Sequence, residues 1–87
     1  MITVRYAPRF VRMYKGLEKN LKEEVKNSIL LFKNIKNHKK LKVHKLRGVL
    51  KNAYSFSVNY RVRIVFKYED EHTVNLLYVG SHDEVYD

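Results

Sequence analysis

Ile2, Val4 and Tyr6 alternate with Thr3 and Arg5, a period of two that predicts a short strand with one buried face over residues 2–6. Pro8 follows where the first turn of a helix tolerates a residue without an N–H. Phe10, Met13 or Tyr14, and Leu17 then recur at helical spacing, and Lys15-Gly16 weakens the end of this short first helix. Asn20 suits an N-cap, with Glu23 placed to complete a capping box. Leu21, Val25, Ile29, Phe32 and Ile35 or Lys36 predict a second helix of roughly four to five turns. Its other face carries Lys19, Lys22, Lys26 and Lys33, a solvated basic stripe. Almost no linker separates the two helices, so an antiparallel hairpin is expected, its apolar faces toward a sheet.

Residues 36–45 form a charge-dense linker, with Lys36, Lys39, Lys40, Lys42 and Lys45 around His38 and His44. His38 and Lys39 read as solvated. Gly48 marks a turn, and a short irregular segment leads to Tyr54. From there Tyr54, Phe56 and Val58 alternate with Ser55, Ser57 and Asn59. After a turn at Asn59-Tyr60, Val62, Ile64, Phe66 and Tyr68 alternate with Arg61, Arg63, Val65 and Lys67. Glu69-Asp-Glu-His72 makes the next hairpin turn, its carboxylates serving solubility. Thr73 to Val79 is apolar on both faces (Val74, Leu76, Tyr78; Leu77, Val79), as in a central strand.

The order is β-α-α-β-β-β with a short C-terminal segment. It predicts a two-layer α+β fold in which the N-terminal strand and helical hairpin pack on a curled, mainly antiparallel sheet. A chain of 87 residues has room for one core, so residues 1–87 are expected to be a single domain.

Composition narrows the class. Cysteine is absent, which excludes disulfides, a thiolate nucleophile and a Cys-based zinc site; no metal site or cofactor motif is expected. The N-terminus lacks the pattern of a signal peptide, and the run Ile29-Leu-Leu-Phe32 is far too short to span a bilayer. A cytoplasmic protein without membrane attachment is expected. Lys plus Arg number 18 against 9 for Asp plus Glu, a formal charge of +9. That excess favours polyanions: nucleic acid, the ribosome, an acidic protein or an anionic surface.

Successive antiparallel strands reverse direction, which places Arg61 and His82 at one end of the sheet. With Tyr54, Phe56, Ile64 and Phe66 toward the helices, Ser55, Ser57, Arg61, Arg63 and Lys67 lie on the open face. A basic face beside a histidine suits a phosphate backbone. His44, Lys45 and Arg47 enter from the opposite end of the first hairpin strand. The segment from Arg47 to Tyr54 is long enough to fold them back, and the pattern leaves open whether it does.

Four stretches in this order carry a family resemblance: the N-terminal strand followed by Pro8-Arg-Phe10, then His44-Lys-Leu-Arg-Gly48, then Asn59-Tyr-Arg-Val-Arg-Ile-Val-Phe66, and finally Val79-Gly-Ser-His-Asp-Glu-Val-Tyr86. With them the chain resembles the RelE/ParE superfamily of type II toxins over nearly its whole length. The resemblance implies a small ribosome-dependent endoribonuclease, an mRNA interferase, held inactive by a cognate acidic antitoxin in a hetero-oligomer. It also implies a sister branch that poisons DNA gyrase. His44 and His82 look like the histidine-bearing interferase branch. Arg61 matches the arginine set against the scissile phosphate, and Tyr86 a late aromatic that contacts RNA. Other members use lysines and a further arginine after the last strand. Ser81-His82 stands there here, which speaks against a purely arginine–lysine mechanism.

Metal-free RNA cleavage needs a base for the 2′-hydroxyl, positive charge for the phosphorane and an acid for the departing 5′-oxygen. Histidine suits both proton roles with an unperturbed pKa of ~6.5, and arginine binds phosphate oxygens as a permanently charged fork. The expected roles are His82 as general acid, His44 as general base and Arg61 as phosphate clamp. Lys42, Lys45, Arg47 and Arg63 would hold the flanking backbone, and Tyr86 would stack on a base. Each residue has a plainer reading. His82 could be a surface histidine, His44 a solvated loop residue, Arg61 a surface partner of Asp83 or Glu84, and Tyr86 an anchor for the tail. His72 is assigned to nothing. Beside the interferase stand two alternatives, a gyrase-directed toxin and a basic RNA-binding domain without chemistry.

Overall fold

Pairing between the two ends of the chain organises the molecule. In the computed structural model, which describes residues 1–48 and 50–81, the strands are β1 (Thr3–Tyr6), β2 (His44–Lys45), β3 (Tyr54–Ser57), β4 (Val62–Asp70) and β5 (Thr73–Ser81). The helices are α1 (Pro8–Lys15) and α2 (Lys19–Phe32), followed by a 3₁₀ turn at Ile35–Asn37. Sheet order is β1-β5-β4-β3-β2. β1 runs parallel to β5, Thr3 opposite Thr73 and Tyr6 opposite Leu76, and the remaining pairs are antiparallel. The expected two-layer α+β arrangement is present, with one addition. His44 and Lys45, read as linker, form a fifth strand at the sheet edge.

The core lies between the helices and one sheet face. Phe10 of α1 and Val25, Ile29 and Phe32 of α2 pack on Phe56, Ile64, Phe66, Val74, Leu76 and Val79. Phe32 is its centre, stacked on Phe56 at 4.2 Å and edge-on to Phe66 at 4.9 Å.

Local departures from the expected pattern have local causes. Glu18, not Asn20, caps α2: its Oε1 accepts from the Leu21 N–H at 2.6 Å, and Asn20 falls inside the first turn. α2 stops at Phe32, so Ile35 lies beyond it and is 59% exposed. His38 is not solvated; its ring stacks on Phe32 at 4.7 Å and its Nε2–H donates to the Phe32 carbonyl at 2.8 Å. Tyr6, expected on the buried face with Ile2 and Val4, is 46% exposed.

Alternation in β5 also breaks. Val65 lies opposite Tyr78 while the next residue, Phe66, lies opposite Leu76, so Leu77 is an extra residue in a bulge. Leu76 and Val79 therefore both face the helices, and Leu77 and Tyr78 both join the cluster on the other face.

Candidate functional site

The sheet face away from the helices is where the register gathers the polar candidates. His44 pairs with Ser55, Ser55 with Val65, and Val65 with Tyr78. Directly opposed residues point to the same side, so these four form one transverse row across the outer face. Ser57, Arg63 and Gly80 form the next row toward the β3–β4 turn. The face is not bare. Leu46, Ala53 and Val65 make a second buried cluster, with Leu50, Leu77 and Tyr78 packed against it. The segment from Leu46 to Ala53 thus does fold back over the outer face. It is closed by the Leu46 N–H donating to the Ala53 carbonyl at 2.8 Å and includes left-handed Gly48 (φ 107) and Asn52 (φ 60).

His44 is held in one tautomer by its own loop. Nδ1 lies 2.7 Å from the Lys42 carbonyl, and a carbonyl only accepts, so Nδ1 carries the proton. In that tautomer the ring nitrogen without a proton is Nε2. Lys42 supplies that carbonyl from a left-handed conformation (φ 59) that non-glycine residues seldom adopt.

At the other end of the face, Asn59 builds the turn that carries Arg61. Its Oδ1 accepts from the backbone N–H groups of Arg61 at 2.8 Å and Val62 at 2.9 Å. Its Nδ2 donates to Glu24 of α2 at 3.2 Å. Arg61 is exposed at this turn. Arg63 is 7% exposed; its Nη1 donates to the Asn59 carbonyl and, at 3.3 Å, to that of Val62. Arg63 therefore ties the turn to the strand, a fixed positive charge beneath Arg61.

The structure does not bring every candidate together. His44 and Arg61 are two strands and four residue positions apart, about 16 Å along a flat sheet. Lys45 pairs with Tyr54, a helix-side residue, so strand alternation sends it to the face opposite His44. Arg47 is exposed in the folded-back segment. Ser81 lies opposite Val62, which delivers the chain beside Arg61; His82 and Tyr86, with Asp83 and Glu84, lie outside the described residues.

On the helix side, a groove of about 410 Å³ is lined by Tyr6, Phe10, Tyr14, Ile29 and Leu30, with Lys15, Lys26 and Lys33 among its lining residues. Leu30 is 58% exposed there. The apolar groove was not visible in the sequence, because it depends on how separate elements meet.

No protein-family model and no curated protein matches the chain. Solved structures do. The chain is similar to YafQ from E. coli strain BL21(DE3), with a TM-score of 0.77 at 15% identity over 100% of both chains. It is similar to the RelBE2 toxin–antitoxin complex of Mycobacterium tuberculosis, with a TM-score of 0.74 at 22% identity over 93% of this chain and 98% of that one. The fold is that of the RelE-type toxins. The intact E. coli RelBE toxin–antitoxin complex gives a TM-score of 0.69 at 20% identity, over 92% of this chain and 95% of that one. Within the RelE-type fold the sheet's outer face and the helix groove are separate surfaces of one molecule. Among the described residues no helix is long and apolar enough to cross a membrane.

Proposed function

We propose that this chain is the toxin of a type II toxin–antitoxin pair and that it cleaves mRNA on the ribosome without a metal. What supports the reading is the outer face, which carries His44, its Nδ1 bonded to the Lys42 carbonyl, and Arg61 on a turn braced by Asn59. His44 Nε2 takes the proton of the 2′-hydroxyl, whose oxygen attacks phosphorus. Arg61, backed by Arg63, binds the oxygens that gain charge in the phosphorane. His82 protonates the 5′-oxygen as its bond to phosphorus breaks, leaving a 2′,3′-cyclic phosphate. Arg47 and Lys42 hold the flanking backbone, and Tyr86 stacks on a base. Lys45 would serve a backbone contact at the sheet edge.

The same reading includes an antitoxin, supported by similarity to structures solved as toxin–antitoxin complexes. The helix groove, apolar within and bearing lysines, fits an acidic amphipathic helix that orders on binding.

Cell-free translation with primer extension on the mRNA tests the enzyme. Wild type is expected to cut only messages engaged by ribosomes, and Arg61→Ala and His82→Ala to lose at least about a hundredfold in cutting. Inhibition without cuts would overturn the nuclease reading and redirect it to gyrase. For the partner, Leu30→Glu should abolish co-elution with the acidic product of the neighbouring gene while cutting persists; unchanged co-elution would remove the groove from the interface.

A further inference from the structure

Beyond Leu76 the β5 edge has no β1 neighbour, because β1 ends at Tyr6. Ala7 donates to the Leu76 carbonyl at 2.9 Å and the chain turns into α1. This brings Arg9, in the first turn of α1, to the sheet edge with its guanidinium carbon 4.4 Å from the centroid of the Tyr78 ring. Tyr78 belongs to the outer-face cluster and closes the transverse row that begins at His44. The ion pairs among the described residues, Arg5–Glu69 and His72–Glu71, do not involve Arg9. An exposed arginine side chain ordinarily samples many rotamers; here a half-buried ring limits it.

We infer that Arg9, held over Tyr78, is a second phosphate-binding residue for single-stranded RNA on the outer face, with Tyr78 as its positioning residue. The inference rests on the proposed function and extends its site to Arg9, to which the sequence reading gave no role. His44 and Tyr78 are three strand spacings apart, about 14 Å. RNA held at His44 on one edge would reach Arg9 on the other within a few nucleotides. The cation over the ring leaves guanidinium N–H groups to grip a phosphate oxygen pair, and the tyrosine removes the cost of ordering the side chain when RNA arrives.

The test is fluorescence anisotropy of a labelled single-stranded RNA whose riboses are 2′-O-methylated, so that it cannot be cleaved. Binding is measured across a salt series for wild type, Arg9→Ala, Arg9→Lys and Lys15→Ala. Arg9→Ala should bind about tenfold more weakly, and its plot of log affinity against log salt should flatten by about 0.7, one phosphate contact on a single strand. Arg9→Lys should recover the slope. Lys15→Ala, which removes the same charge from the helix groove, should keep the wild-type slope. A lower melting temperature for Arg9→Ala with unchanged affinity and slope would make the pair a clamp between α1 and β5 and overturn the inference alone. Equal weakening by Lys15→Ala would reduce it to overall charge and overturn it as well. Failure of wild type to bind at low salt would overturn the inference and the RNA-directed function together.

Discussion

At the scale of single residues, the start of α2 separates two carbonyl-bearing side chains only two positions apart. Glu18 accepts the Leu21 N–H, whereas Asn20 lies within the helix. Glu18→Ala should therefore cost about 0.5–2 kcal/mol by urea denaturation, and Asn20→Ala should be neutral or slightly stabilising because alanine is the better helix former. The reverse order would return the cap to Asn20. The sequence pattern could not decide this point, since both residues precede the same apolar face. What it did show was the face itself. Val25, Ile29 and Phe32 carry the helical period, and all three are buried. His38 was less legible. Its position in a lysine-rich linker suggested solvent, but stacking on Phe32 depends on where α2 ends.

At the scale of elements, period-two alternation assigned the faces of β3 and β4 and failed in β5. One inserted residue at Leu77 reverses every assignment after it, and a bulge leaves no composition signal in an apolar strand. The β4–β5 hairpin has its own pH signature. The His72 N–H, donated to the Asp70 carboxylate at 2.8 Å, holds that carboxyl below its ordinary value; desolvation opposes it, and hydrogen bonds from Thr73 add to the lowering. A folded-state value below the unfolded one stabilises the hairpin above the unfolded aspartate value of about 3.9. That contribution disappears as pH falls through the folded value. Melting temperature measured between about pH 5 and pH 2 should thus fall less steeply for Asp70→Asn than for wild type. Parallel curves would show that the carboxylate does not couple to folding.

At the scale of the molecule, the basic outer face was legible in part. Arg61 and His44 stood out by residue type; Ser55 and Arg63 lie on the open face as the alternation predicts, and β2 pairing sets His44 beside Ser55, a placement the pattern had left open. Lys45 had no assigned face, because no strand was expected there to alternate. Arg9 was given no role of its own because an arginine in a first helical turn has no partner in the sequence until β1 ends short and β5 runs on. The pairing that produces this geometry also sets the order of events during biosynthesis. β1 is made about seventy residues before its partner β5, and closing so long a loop is slow and entropically costly. β1 must wait, unpaired, until β5 has left the ribosome. Stalled nascent chains that lack β5 should be degraded by a dilute protease, and chains extended past Ser81 should resist it. Equal resistance in both would show that the helices and the β2–β4 sheet fold unaided. Resistance confined to the longer chains would mean that the sheet closes in one late step, with the helices and the β2–β4 strands already outside the ribosome when β1 finds its partner.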